Sequence, residues 1–458
     1  MAITSRSPKP NEWASKINHT HIINDPFIKD FIEGCEFPSK SSEITDEDKN
    51  KFLDLDENII NPIKFLIAVD GGYTTVEVKK SFPSSQIAFF QFGALLFETK
   101  DLDDLSEKPF IFPEDMQKLH NLTRFKLAIP LQNMLSSQQQ TLSLSVRKAI
   151  YDFFMEPRES TSFMETLSWF IFQGYKNTSK SEYSLASDPN LEIGSGSVLL
   201  NKGNMSKDYT FTNDSGTIYL TDAFRLHEAI DDVQGAGGIL GYITRLIEQL
   251  ILVHSIRLIH KKQPSSLSEF LFIADGPLSF SGQTANMNKP MRELCNYLKQ
   301  EYNLYMVGIE KSGAFVDHAR EICSFKDSKR VLEKEKYILL DNRYIYKYII
   351  PGDPDGAAYA STSYYGGKVI YHSGDGQVIV LTIPVSDKNV VLNPVLADYH
   401  NIDEILVNIK KLRCDMYDDS IVPIALANKL VSLANHPSKI LLEKFSSSLV
   451  SKPLSQKQ

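Results

Sequence analysis

Cysteine is scarce in this 458-residue chain, with only Cys35, Cys295, Cys323 and Cys414, widely scattered and without a CxxC pair. That excludes a disulfide framework and a thiolate zinc site, and suits small core residues in a reducing interior. Long apolar runs are also missing: none approaches the roughly 20 residues needed to span a bilayer. The longest candidate, Ile243 to Ile259, is broken by Arg245, Glu248, Gln249, His254 and Arg257. The opening MAITSRSPKPNEW is polar and has no apolar segment of the signal-peptide type. These absences predict a cytoplasmic protein with no membrane contact. There is no GxxxxGK[ST] loop, so the chain is not a P-loop ATPase. Nor is there a basic excess: 49 Lys and Arg face 57 Asp and Glu, a net charge of −8. The balance argues against a polyanion-binding surface over the whole molecule and leaves room for a local basic groove.

What is present is a globular composition, 42% hydrophobic and 23% charged, in a chain long enough for two or three structural parts. Residues 1–60 read as a polar leader. Residues 61–100 open the core with the run Phe65-Leu66-Ile67-Ala68-Val69, closed by Asp70-Gly71-Gly72, then strand patterns at 75–78 and 87–97. The 101–215 block reads as an insertion, helical over roughly 114–175, with Leu142, Val146, Ile150 and Phe153 at helical spacing, and loop-like beyond Tyr175. From 216 to 435 the α/β pattern returns: a short strand at 217–220, a long helix from about Ala236 to His260, and the strand Phe270-Leu271-Phe272-Ile273-Ala274 closed by Asp275-Gly276. A helix at about 288–301 and the strand 304–309 follow, with β-rich segments at 337–349 and 367–385 and helices near 401–412 and 422–434. Strand, helix, strand of this length predicts a parallel crossover. Residues 436–458 read as a final helix and tail.

Two strands therefore end alike, FLIAVD-GG and FLFIAD-GP. In α/β sheets ligands gather at the carboxyl ends of strands. A carboxylate there, backed by an apolar strand, is costly unless it faces a cation or water. Two on neighbouring strands repel unless a divalent cation lies between them, and oxygen-only ligands favour Mg²⁺ or Mn²⁺. The plainer reading is that Asp-Gly after a strand is a common turn. Spacing alone does not choose between the two.

The order AVDGG, then IADGPL, then VGIEKSG about thirty residues further resembles the NurA nuclease family, over roughly residues 62–100 and 217–435. The resemblance implies an α/β fold with an RNase H-like mixed sheet flanked by helices, carrying an inserted mainly helical module and β-rich C-terminal segments. It further implies a Mn²⁺- or Mg²⁺-dependent nuclease acting on DNA ends, dimeric, and working with a HerA-like hexameric ATPase. Carried over by position, Asp70 and Asp275 are metal ligands, and Glu248, on the helix before the second Asp-Gly strand, is the third. Glu248 lies 27 residues before Asp275, a longer interval than the family pattern, with HKKQPSSLSE as the lengthened loop. Glu269 is the alternative, read more simply as a strand-entry residue. Lys311 is placed to neutralise the scissile phosphate, and Ser312 to hydrogen-bond it. Where the family's C-terminal helix carries an Ala-His pair, this chain has Ala427-Asn428, and asparagine can coordinate a hard metal through its carbonyl but cannot act as an acid or base. His436 and Asp341 are the substitutes considered, with a turn role the simpler reading for Asp341.

Other charged features read as structure first. The segment TDAFRLHEAIDDVQGAGG reads as a capped helix and turn, and Arg257, Lys261, Lys262, Lys410, Lys411 and Arg413 as solvated faces or a DNA grip. Two other readings stay open: a non-catalytic subunit that binds DNA ends or the ATPase, and an RNase H-like nuclease acting on RNA.

Overall fold

The structure is a computed structural model, describing residues 16–79, 83–101, 122–158, 161–325, 330–414, 420–433 and 436–450. In chain order, helices α1 (Lys16–Ile23), α2 (Pro26–Glu33) and α3 (Asp46–Lys49) precede strands β1 (Phe52–Asp54), β2 (Phe65–Lys79), β3 (Ser85–Glu98) and β4 (Leu122–Gln132). Helices α4 (Leu142–Met155) and α5 (Phe163–Ile171) lead into two small hairpins, β5 (Glu182–Leu185) with β6 (Val198–Asn201), and β7 (Thr210–Asn213) with β8 (Gly216–Tyr219). Then come α6 (Leu240–Lys262), β9 (Phe270–Asp275), α7 (Asn288–Tyr302), β10 (Tyr305–Glu310), α8 (Ala314–Cys323), β11 (Lys336–Leu339) and α9 (Asn342–Tyr348). Strands β12 (Gly366–His372) and β13 (Val378–Pro384) and helices α10 (Ile402–Lys410), α11 (Val422–Val431) and α12 (His436–Val450) complete the chain.

One nine-stranded mixed sheet organises the molecule, in the order β1-β11-β12-β13-β10-β9-β2-β3-β4. Strands β2, β9 and β10 are mutually parallel and the other pairings are antiparallel. Helices cover both faces, as expected for the fold class. The parallel strands are apolar on both sides, which is why they read as continuous hydrophobic runs. Ile67, Val69, Phe272, Ala274 and Met306 pack against α4 to α7. Leu66, Ala68, Leu271, Ile273 and Ile309 pack against α10 and α11. The antiparallel end of the sheet has its own core with α8 and α9. Helix α6 falls in a stretch long and apolar enough to cross a membrane, but most of that stretch is buried inside the protein, and α6 is its central core helix.

Five sequence expectations need correction. The Gly-Gly pair does not end the first strand: β2 runs on to Lys79, because β3 pairs with it through Gly71↔Phe92 and Gly72↔Gln91, and 75–78 is its continuation. Residues 122–132, counted among the helical patterns, form the edge strand β4. Their signal was the period-two burial of Phe125, Leu127, Ile129 and Leu131. The strand at 217–220 belongs to the β7–β8 hairpin and not to the main sheet. The β-rich segment at 337–349 is strand only to Leu339, after which Asp341 caps α9. Strand β1, from the stretch read as a polar leader, pairs with β11 at the sheet edge.

Candidate active site

The parallel register brings the two aspartates together. Val69 pairs with Ala274, so Asp70 and Asp275 come next, side by side, where the β2–β9 ladder ends. Ile309 pairs with Asp275 on the other side, which puts Lys311 two residues beyond. Side chains alternate along a strand, so Asp70, Asp275 and Lys311 project to the face where Ala68, Ile273 and Ile309 pack. Lys311 Nζ lies 2.7 Å from Asp275 Oδ2. Ser312 is exposed in the following turn and is not drawn into the cluster.

Glu248 enters from the opposite face, on α6, and is almost fully buried. It reaches the aspartates over Gly71, where an added Cβ would stand 3.1 Å from Glu248 Oε1 and 2.5 Å from the Phe92 ring. Glycine at 71 is thus a requirement of packing, and its strand pairing shows that it is not a turn. Gly276 is different, with φ +89°, and it turns the chain out of β9. Arg245 occupies the space where a Cβ on Gly276 would be.

Arg245 is the site residue that sequence reasoning missed. It donates to the Asp275 carbonyl and lies 3.6 Å from Glu248, one helical turn away. The available signal was the i,i+3 pair Arg245–Glu248 on an otherwise apolar helix. Asn428, on α11, also reaches the site, where its carboxamide favours the ionised form of Asp70. The backbone N–H of Gly71 donates to Asp70 Oδ1 at 2.8 Å.

Electrostatics follow from three carboxylates sharing one partly dry space. Burial first, and repulsion from Asp275 second, push the Asp70 carboxyl up to about 7, against the opposing pull of Lys311, Gly71 N–H and Asn428. Burial drives Glu248 well above the usual carboxylate range, with Asp70 and Asp275 adding to the effect and Arg245 opposing it. Such displacement is what crowded carboxylates do in the absence of sufficient positive charge.

The donor chemistry fits a hard divalent cation, since every ligand on offer is oxygen. Asp70 Oδ2 is buried with no hydrogen-bond partner, an orphan acceptor of the kind a cation satisfies. In the rotamers the side chains adopt, no three Asp, Glu, His or Cys among the described residues close into a ligating group. Lys311 and Arg245 instead provide the neutralising charge.

The remaining candidates stand elsewhere. Asp341 is four strands from β9. It accepts the Tyr344 N–H at 2.7 Å as the cap of α9 and pairs with Lys51 at 2.7 Å, so it is not a substitute site residue. Glu269 pairs with Lys64 at 2.6 Å at the strand entry. The side chain of His436 lies outside the described residues. Asp222 is held by Arg147 in a buried ion pair, and its segment forms short 3₁₀ turns rather than a capped helix. Among the basic residues, Arg257 is buried against Glu165, Lys410 is paired with Glu57 and Glu335, and Arg413 with Asp375. Lys261, Lys262 and Lys411 remain exposed.

Fold and site together define an α/β protein with a carboxylate–lysine centre at the ends of parallel strands. The family described as NurA domain matches residues 66–360, well over half the chain and including Asp70, Glu248, Asp275 and Lys311. The chain belongs to this family, a family of nucleases. Among solved structures it is similar to the NurA nuclease from Sulfolobus solfataricus, at 10% identity over 96% of this chain and 98% of that one, with a TM-score of 0.33. No curated protein matches it.

Proposed function

We propose that this protein is a divalent-metal-dependent nuclease that hydrolyses DNA phosphodiesters, with Asp70, Glu248 and Asp275 as ligands of Mn²⁺ or Mg²⁺. The observation that carries this reading is the convergence of three carboxylates and Lys311 at the ends of β2, β9 and β10 in a chain of the NurA family. A bound divalent cation supplies activation of water and neutralisation of the leaving oxygen. The chain's own groups do the rest. Lys311 sits where it can balance charge developing on the phosphoryl oxygens. Arg245 holds the Asp275 backbone and Glu248 in fixed relation, and Gly71 keeps the space between Glu248 and Asp70 open. Asn428 orients Asp70 without taking part in proton transfer, since a carboxamide neither gains nor loses a proton.

In this proposal the substrate is a DNA end, the protein acts as a cytoplasmic homodimer, and a HerA-like hexameric ATPase feeds the strand, because this chain has no phosphate-binding loop of its own. A second reading, a DNA-end-binding subunit without catalysis, draws on Asn428 in place of histidine and on the carboxylates being taken up by Lys311 and Arg245. Labelled linear DNA incubated with the purified protein in Mn²⁺ or EDTA, with Asp70→Ala and Asp275→Ala alongside, separates the two. Mn²⁺-dependent cleavage lost in both variants is the expected result. Cleavage surviving both substitutions overturns the site, and no cleavage even with the ATPase present favours the binding subunit.

A further inference from the structure

A cleft of about 760 Å³ lies between the start of α7 and the segments around 361–362 and 386–388. Its floor is joined directly to the loop that leaves Asp275. Phe280 N–H donates to the Ser363 carbonyl at 2.9 Å, Tyr365 N–H to the Leu278 carbonyl at 3.1 Å, and Ser279 bridges Tyr364.

The cleft's charge is unbalanced. Lys289 and Lys388 are exposed on its two walls and have no carboxylate partner among the described residues. Arg292 donates one N–H to the Tyr364 carbonyl and keeps its buried Nε without a partner. The two carboxylates of the lining are already engaged: Glu293 pairs with Lys180 at 3.0 Å, and Asp387 accepts the Asn389 N–H at 2.8 Å, with Arg292 also in its field. Lys289 stands in the first turn of α7, which has no acidic residue and no side-chain cap. A cation there opposes the helix dipole, so its position is unfavourable until an anion arrives. Arg225, also in the lining, is paired with Glu228 at 2.7 Å; apart from Ala285 the rest is amide and hydroxyl, including a buried, unpartnered Asn286 Oδ1, and no lining residue is aromatic.

We propose that this cleft holds the sugar–phosphate backbone of a single nucleic-acid strand at a distance from the phosphate being cleaved, with Lys289, Arg292 and Lys388 as its phosphate contacts. Amides, hydroxyls and cations without aromatics grip backbone and ignore sequence, and such binding is strongly salt-dependent. The cleft's volume is that of a small-ligand pocket, enough for a short length of one strand's backbone. The inference rests on the phosphodiester reading of the site.

The test is the double variant Lys289→Ala/Lys388→Ala, both exposed positions, measured with a fluorescein-labelled 20-nucleotide single strand over a salt series. Loss of two contacts lowers affinity by about tenfold or more and reduces the steepness of the log–log salt dependence by about 1.4, at ~0.7 per contact. A duplex of the same sequence shows no such difference between the two proteins. Hydrolysis of bis(p-nitrophenyl) phosphate in Mn²⁺, a diester too short to reach the cleft, is unchanged in the double variant and lost in Asp275→Ala. Unchanged strand affinity and salt slope overturn the cleft, as does an equal loss for duplex. Absence of diester hydrolysis by the unmodified protein overturns the reading of the site instead, while the binding series still decides the cleft.

Discussion

Asp275 and Asp341 make an instructive pair. Each follows an apolar strand of the same sheet, and each has a lysine at 2.7 Å, Lys311 for one and Lys51 for the other. Their surroundings differ completely. Asp341 follows β11 in the antiparallel part, and its other oxygen caps α9 through the Tyr344 N–H. Asp275 ends β9 in the parallel part, where neighbouring strands point the same way and deliver Asp70 and Lys311 to the same edge. A strand-end carboxylate becomes chemically interesting when parallel neighbours bring others beside it. Next to an antiparallel neighbour, the same residue type serves the chain's own backbone.

The largest break in this comparison is in activity. Asp275→Ala is expected to lower DNA cleavage in Mn²⁺ by on the order of 10³-fold or more, while Asp341→Ala leaves the rate within about twofold. Single-turnover kinetics on labelled linear DNA measure both, and comparable losses would erase the distinction. Next, Lys311→Ala is expected to cost ~10²–10³-fold in kcat, the scale of losing a preorganised charge donor. Lys51→Ala, the matching change beside Asp341, should leave kcat unaltered. Gly71→Ala sharpens the geometry: the new methyl has to displace Phe92 and crowd Glu248, so a rate loss of about 10²-fold is expected from misplacement, detected in the same assay. Asp341→Ala has its effect on stability instead, about 1 kcal/mol from the lost cap, read from urea unfolding.

The smallest effect is a pH dependence in EDTA. Asp70 sits at about 7 in the fold, facing Asp275 and Glu248 as repulsive neighbours and Lys311 and Asn428 as favourable ones. In the unfolded chain it titrates near the ordinary ~3.9. The folded state therefore holds the proton more tightly, and native stability falls as pH rises from about 4 to about 7. Asp70→Asn removes that loss, so its Tm advantage over the unmodified protein should grow by on the order of a few degrees between pH 5 and pH 8. A Tm difference independent of pH would contradict the shift.

Much of this was written in the sequence in a form that local rules can read. Apolar strands closed by Asp-Gly located Asp70 and Asp275, and the family pattern supplied Glu248 and Lys311. The long helix and the parallel crossover were equally plain. What escaped depended on partners distant in the chain. Gly71-Gly72 carries a stop signal, and only the pairing with Phe92 and Gln91 overrides it. Arg245 looked like an interruption in an apolar helix, because its value lies in a contact with a backbone carbonyl thirty residues on. Asn428, by contrast, was named from its place in the family pattern, and packing of α11 against β2 brings it to Asp70. The β4 alternation was legible and was overshadowed by the helical spacing that follows it.

The central claim is that Asp70, Glu248 and Asp275 act as one cation-binding centre. Calorimetric titration of Mn²⁺ into the unmodified protein, Asp275→Asn and Asp341→Asn tests it most directly. The account predicts that the unmodified protein and Asp341→Asn bind Mn²⁺ alike, while Asp275→Asn binds at least tenfold more weakly. Equal binding by all three proteins would contradict it.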